Sequence, residues 1–224
     1  MYRKEKNKML KSKKNIIVIV IALVILSIVI GISILVKKNE KVDIQKNTLT
    51  SKLCQEVKEK NEIAYTRTLD ENNKITIVIK GDKAYKEVVL DGNKKIYIVR
   101  DGNTFYLNDI EKEYYKYENN DEMLTEIKKQ FENLNLSELK IGKERINGKK
   151  YKYEEISKCQ DFLFNENLSV NNLEYAKTRF YYKNEKLLYI KTIVGEKQEL
   201  IKIDINYDNI NDDYFKIPSD YTEV

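Results

Sequence analysis

Histidine and tryptophan are absent from this 224-residue chain, which also has only one proline and two cysteines. Without histidine the chain cannot form a Ser-His or Cys-His nucleophile pair or a histidine-ligated zinc site. The two cysteines, Cys54 and Cys159, are too few for a four-cysteine zinc site. No glycine-rich phosphate loop or nucleophile elbow occurs. We therefore predict a protein that is not an enzyme and that carries no metal or other cofactor.

Acidic residues occur in pairs along the chain: Asp70-Glu71, Glu154-Glu155 and Asp212-Asp213. A glycosidase needs two carboxylates that flank one cleft. Neighbouring residues of a strand point to opposite faces, so Glu154 and Glu155 cannot form such a pair by themselves. The acidic segment 208–213 lacks the glycine and the distal glutamate of a calcium loop. The expectation is that these carboxylates are solvated charges of turns and strand edges.

The longest apolar run spans residues 16–36 and contains no charged residue and no proline. As a helix it would be about 30 Å long, which matches the hydrocarbon core of a bilayer. A secretory signal peptide has a shorter apolar core and a small-x-small cleavage site, and neither is found here. A lipoprotein would carry a cysteine at the end of the run, whereas the first cysteine is Cys54. We predict an uncleaved transmembrane signal anchor over residues 15–36.

The charges on the two flanks predict the orientation of the anchor in the membrane. The net charge is +6 before the apolar run and +2 in the flank after it. The more positive flank stays in the cytoplasm. We predict a cytoplasmic tail at 1–14, a polar tether at 37–50 and an extracytoplasmic domain at 51–224 of a single-pass protein of the cell membrane. The whole chain carries +5, so residues 42–224 are left with −3. An acidic domain argues against a nucleic-acid partner.

Both cysteines lie in the predicted extracytoplasmic part of the chain. An even number of cysteines in an exported domain permits a disulfide between Cys54 and Cys159. The alternative is two separately buried thiols. A catalytic cysteine is not expected, because no histidine is present to activate it.

From residue 63 onward, β-branched and aromatic runs alternate with turn signals about every ten residues. This pattern predicts an antiparallel meander up to residue 117 and a second one over 174–207. Between them, Asn147-Gly148 is a strong signal for a two-residue hairpin turn. In the last strand Ile201, Ile203 and Ile205 alternate with polar residues, which predicts a sheet covered on one side.

One clear helix interrupts the strands at residues 121–134. Its apolar residues Met123, Leu124, Ile127 and Phe131 recur at helical spacing and form one stripe suited to cover a sheet. The expected fold class is α+β: a curved antiparallel sheet covered on one face by helices and preceded by one transmembrane helix.

Tyrosine is abundant, and sixteen of the seventeen tyrosines follow the apolar run. Many of them lie on predicted strands. Tyrosine is amphipathic and suits sheet surfaces, cavity walls and interfaces. Ordinary sheet packing, an apolar-ligand cavity and a partner-binding face therefore remain alternatives.

The order of these elements is similar to that of a known superfamily. A meander, a covering helix, the Asn147-Gly148 hairpin, a second meander and the closing pattern Phe215-Lys-Ile217-Pro218, followed by Tyr221, together resemble the LolA/LppX-like superfamily. The resemblance implies a half-barrel with helices on its concave side and a cavity that accepts acyl chains. The helix 121–134 would plug that cavity. The implied lining comprises Met123, Leu124, Ile127, Phe131, Ile201, Ile203 and Ile205.

A fixed anchor does not suit the carrier role of that superfamily, because an anchored protein cannot shuttle cargo. Relatives include a germination lipoprotein of spore-forming clostridia that partners a cortex-peptidoglycan amidase. The resemblance therefore points to a membrane-anchored, non-catalytic binding module for an envelope or cell-wall partner protein, with a role in sporulation or germination. The alternatives are binding of a lipid or lipoprotein acyl chain and, in another class, a cell-envelope hydrolase.

Overall fold

The structure, a computed structural model, describes residues 47–118, 122–165 and 168–224. The predicted cytoplasmic tail, the signal anchor at 15–36 and residues 37–46 of the predicted tether lie outside these residues. Among the described residues, no helix has the length and apolar character needed to cross a membrane.

The two α-helices of this part are α1 (Leu49–Glu59) and α2 (Glu122–Glu132). The strands are β1 (Glu62–Asp70), β2 (Asn73–Lys80), β3 (Lys83–Leu90), β4 (Asn93–Arg100), β5 (Asn103–Asn108), β6 (Glu113–Glu118), β7 (Lys140–Ile146), β8 (Lys149–Ser157), β9 (Ala176–Lys183), β10 (Lys186–Val194), β11 (Lys197–Asn206) and β12 (Thr222–Glu223).

The twelve strands form one sheet in the order β12-β6-β5-β4-β3-β2-β1-β11-β10-β9-β8-β7. The first meander, β1 to β6, runs from the centre of the sheet to one edge. The chain then passes through α2 to the opposite edge, and the second meander, β7 to β11, returns to the centre. There β11 pairs antiparallel with β1, while β12 pairs parallel with β6 at the first edge.

The two predicted meanders are confirmed, and their turns follow from local backbone chemistry. Asn147 and Gly148 both have positive φ, at 49° and 77°. A two-residue turn of this kind matches the twist of the strands on either side. β7 and β8 pair directly across it, from Ile146 opposite Lys149 to Lys140 opposite Glu155.

The predicted fold class, an antiparallel sheet covered on one face by helices, is wrong. The sheet is mixed, because β12 is parallel to its neighbour, and the helices cover only part of it. The dimensions of the sheet and of the helices explain why the helices cover only part of the face. A twelve-stranded sheet is about 50 Å wide, whereas each 11-residue helix is about 16 Å long.

The inner face, defined as the face that carries Ile63, Tyr65 and Ile77, holds the main hydrophobic core. Both helices and residues 158–165 pack there against side chains of β1–β4 and β8–β11. The opposite, outer face is covered over β2–β5 by the C-terminal segment. Phe215, 3% exposed, packs there among Val78, Ile96 and Leu107 in a second core.

Buried carboxylates attach the covering segments to the sheet. Glu154, 1% exposed, accepts the backbone N–H groups of Leu49 and Thr50 at 3.0 and 2.7 Å. These are free donors at the first turn of α1, where the helix dipole favours a negative charge. Glu199 similarly accepts the N–H groups of residues 164 and 165. The expectation that Glu154 and Glu155 are solvated is therefore wrong.

Candidate functional site

Three tyrosines form a continuous row on the inner face of the first meander. Tyr97 on β4 lies directly opposite Tyr106 on β5, which lies opposite Tyr115 on β6. Their ring centroids are 5.3 Å and 6.2 Å apart. Side chains paired directly across strands on one face come into this contact range. We call Tyr97, Tyr106 and Tyr115 the tyrosine ladder; all three are half-buried.

An open groove of about 440 Å³ lies beside the ladder, between the sheet and the first turns of α2. We call it the ladder groove. Lys86 on the sheet pairs with Glu126 of α2 at 2.6 Å and so holds the helix against this wall. The groove is lined by Lys86, Val88, Leu90, Lys95, Tyr97, Thr104, Glu122, Met123 and Glu126.

Apolar side chains are exposed around this part of the sheet. Ile110 is 92% exposed, Tyr117 is 54% exposed and Leu90 is 46% exposed. Leu90 and Ile110 also line a second depression next to the groove. A concentration of exposed apolar groups with polar residues at its margin is typical of a binding surface.

The seven residues predicted to line an acyl-chain cavity do meet in the structure, in the main core. Ile127, Phe131, Ile201 and Ile203 are 2% exposed or less. Phe131 makes edge contacts with Tyr65 and Phe162, at centroid distances of 5.9 and 5.4 Å. Side chains therefore fill the space between α2 and the sheet at these positions. The other three residues, Met123, Leu124 and Ile205, are partly buried and pack against this core. Met123 also lines the ladder groove, and Ile205 lines a pocket beside α1.

Cys54 and Cys159 are free thiols in the structure and belong to the same core. Burial raises the pKa of Cys54 to about 11 and also raises the pKa of Cys159. A thiol with a raised pKa is a poor nucleophile. A disulfide between them stays a prediction.

A charged network on the outer face was not foreseen from the sequence. Glu144 on β7 accepts hydrogen bonds from Arg179 at 2.8 Å, Tyr181 at 2.5 Å and Lys191 at 2.5 Å. Arg179 also donates to Glu155 at 2.7 Å. Burial opposes the ionisation of Glu144, but these three donors outweigh it and lower its pKa to about 2. Every charged group of the network has a partner, so its arrangement stabilises the fold.

The network predicts a specific loss of stability in acid. The pKa of Glu144 is about 2 in the folded protein, below its ordinary value of 4.5. Its contribution is therefore complete above pH 4.5 and is lost as the pH falls towards 2. We expect the melting temperature of the wild-type protein to fall more steeply over this range than that of Glu144→Gln. Circular dichroism melts at several pH values test this, and equal acid slopes would contradict it.

The comparisons with family models and with curated proteins assign no family to this chain. No family model matches the chain, and no curated protein matches it. A solved structure described as an uncharacterized conserved protein from Thermus thermophilus aligns with a TM-score of 0.40 and 11% identity over 78% of this chain and 98% of its own. Similarity at this level assigns neither a family nor a function. The resemblance to LolA/LppX-like proteins stays a prediction.

Proposed function

We propose that residues 48–224 are a non-catalytic binding module that binds a partner protein of the cell envelope through the ladder groove. The observation that carries this proposal is the tyrosine ladder, which extends from the edge of α2 across the inner face and is only half-buried. Tyrosine is enriched at the energetic centres of protein interfaces, because it contributes a large contact area at a small entropic cost. The exposed Leu90, Ile110 and Tyr117 extend this surface beyond the ladder.

Packing favours a protein ligand over an acyl chain. An acyl chain needs an enclosed apolar cavity, and the core between α2 and the sheet is filled by side chains such as Phe131. The ladder groove is open and has charged walls, with Lys86 and Lys95 on the sheet and Glu126 on the helix. Charged walls suit a polar, hydrogen-bonding partner.

The predicted anchor limits where such a partner can be. If residues 16–36 span a membrane with the basic tail inside, the groove is tethered on the outer side. A tethered module meets partners that lie at the membrane surface, and its effective concentration there is raised by the tether. The proposed partner is therefore a protein of the cell envelope.

Site-specific photo-crosslinking in the native cells tests this function. A photoreactive phenylalanine analogue at position 97 or 106 should crosslink one protein, whereas the same analogue at position 175 should not. Tyr175 is the matched control, since it is 66% exposed and lies outside the ladder. Purified partner should then bind Tyr97→Ala about tenfold more weakly than the wild type.

Two outcomes would contradict the proposal. One is a lipid, and no protein, bound to the module in native mass spectrometry. The other is hydrolysis of peptidoglycan by the purified protein. Circular dichroism spectra of Tyr97→Ala and the wild type should coincide, so that weaker binding is not a consequence of unfolding.

A further inference from the structure

Four basic side chains share one face of the β7–β8 hairpin. On β7, Lys143 lies directly opposite Lys152 of β8, and Arg145 lies directly opposite Lys150. Lys152 is also opposite Tyr182, a residue of the main core, which places the four side chains on the inner face. All four are exposed. We call Lys143, Arg145, Lys150 and Lys152 the basic quartet.

The charges of the quartet are not neutralised within the fold. None of the four forms an ion pair with any residue that the structure describes. The carboxylates of the same hairpin are engaged elsewhere. Glu144 and Glu155 pair with Arg179 on the outer face. Glu154 is buried and accepts the N–H groups at the start of α1. Since residues 42–224 carry a net charge of −3, the quartet is a local concentration of positive charge.

This arrangement is unfavourable for the fold, because like charges directly opposite on neighbouring strands repel each other. Charged residues on an edge strand protect it against pairing with other chains, which accounts for Lys143 and Arg145 on β7. β8 is paired on both sides, so edge protection does not account for Lys150 and Lys152. A local loss of stability of this kind is typical of a surface retained for function.

The chain enters the domain beside the quartet. Lys152 is opposite Tyr182, whose hydroxyl lies 3.0 Å from the hydroxyl of Thr50 in the first turn of α1. Two residues further along β8, Glu154 accepts the N–H group of Leu49. Lys152 and Glu154 are about 7 Å apart along the strand. The quartet therefore adjoins the start of α1.

The start of α1 is also where the predicted tether joins the domain. Ten residues, 37–46, connect the predicted anchor to the described part of the chain, and fully extended they reach at most about 36 Å. If residues 16–36 span a membrane, the domain is confined to the membrane surface. Its point of attachment is then next to the quartet, which raises the effective concentration of lipid headgroups there.

We propose that the basic quartet docks the domain on the membrane in which the chain is anchored, by binding the phosphate groups of anionic phospholipids. Each basic residue near an anionic membrane raises the binding constant about fivefold, so four residues together contribute several hundredfold. Lysines are point charges on flexible stems, which suits a layer of mobile headgroups better than one ligand of fixed geometry. β4 and β8 are about 34 Å apart along the sheet, so docking leaves the ladder groove accessible.

Lysine footprinting of the full chain tests this docking. The chain is reconstituted into vesicles of phosphatidylcholine alone or of an equal mixture of phosphatidylcholine and phosphatidylglycerol. A trace of a membrane-impermeant acetylating reagent is added, and peptide mass spectrometry gives the acetylation rate of each lysine. Lys143 and Lys152 should react at least about fivefold more slowly in the anionic vesicles. Lys116, exposed on β6 near the other edge of the sheet, should react equally in both.

Two double variants separate docking from folding and from repulsion of the reagent by the anionic surface. Arg145→Gln/Lys150→Gln should weaken docking about 25-fold, so the two remaining lysines of the quartet should lose their protection. Lys197→Gln/Lys202→Gln removes the same charge from exposed positions of β11 and should keep the protection. Both variants should melt within about 2 °C of the wild type in neutral detergent.

Equal acetylation of Lys143 and Lys152 in the two kinds of vesicle would overturn the proposal. So would equal protection by inorganic phosphate added to phosphatidylcholine vesicles, which would assign the quartet to free phosphate. Equal protection by added polyglutamate would assign it instead to an acidic protein. Persistence of the protection in Arg145→Gln/Lys150→Gln would show that the quartet does not cause it.

Discussion

Replacing Arg179 by methionine will lower the free energy of unfolding by about 3 kcal/mol. Arg179 donates to Glu155 at 2.7 Å and to Glu144 at 2.8 Å. Glu155 is only 5% exposed, so removal of its partner leaves a buried carboxylate uncompensated. Methionine preserves most of the side-chain volume and isolates the loss of charge. Lys191 still reaches Glu144, which keeps the expected loss at the lower end of the range for broken buried pairs.

Urea denaturation followed by circular dichroism measures this loss, since the chain has no tryptophan to report unfolding. Arg145→Met is the matched control, because Arg145 is exposed and its replacement should change stability by less than about 0.5 kcal/mol. A similar, small effect for both variants would show that the outer-face network contributes little.

The second large effect is expected for Phe131→Ala, which should destabilise the fold by about 3–5 kcal/mol. Phe131 is 1% exposed and lies between Tyr65 and Phe162 in the main core. Its truncation removes buried apolar surface and leaves a cavity that rigid strands on one side cannot close. The free energy of unfolding from urea denaturation is the measurement.

This variant also tests whether α2 lies over a packed core or over a cavity. If α2 lies over a packed core, Phe131→Ala should lower the free energy of unfolding by the full amount. If α2 lies over a preformed cavity, the ring already lacks neighbours, and its removal should lower the free energy of unfolding only slightly. Ile110→Ala provides the control, since Ile110 is 92% exposed and its truncation should be close to neutral. A loss of less than about 1 kcal/mol for Phe131→Ala would favour the acyl-chain alternative over the partner-binding proposal.

The proposed site depends on an unequal covering of the sheet. The helices and residues 158–165 cover β1–β3, part of β4 and β8–β11 on the inner face, and the C-terminal segment covers β2–β5 on the outer face. On the inner face of β4–β6, Val99 of β4 still belongs to the main core, and the tyrosine ladder forms the half-buried surface beside it. An amphipathic side chain suits such a position, because its ring can pack on the sheet while its hydroxyl stays hydrated.

Local features of the sequence predicted local structure well. Asn147-Gly148 forms the expected hairpin turn, and the apolar stripe predicted over 121–134 forms α2 at Glu122–Glu132. Alternation in the last strand places Ile201 and Ile203 in the core. Each of these depends on neighbouring residues in the chain, through φ preferences or through helix and strand periodicity.

Non-local features were missed for a common physical reason. Glu154 caps a helix that lies more than one hundred residues earlier in the chain, with separations of 105 and 104 residues to its two donors. The residues around Glu154 are typical of the charged edge of a strand. They do not indicate that the carboxylate accepts hydrogen bonds from the backbone N–H groups of Leu49 and Thr50. The outer-face network around Glu144 likewise depends on which strands become neighbours.

By itself, the sequence determined the strands, the turns, the apolar stripe of α2 and the charge asymmetry around residues 16–36. These follow from interactions between residues close in the chain or from average composition. Only the tertiary structure decided that β11 pairs with β1 and that Tyr97, Tyr106 and Tyr115 align in one row. Strand order and register set these neighbours, and they depend on packing between residues far apart in the chain, which no local pattern encodes.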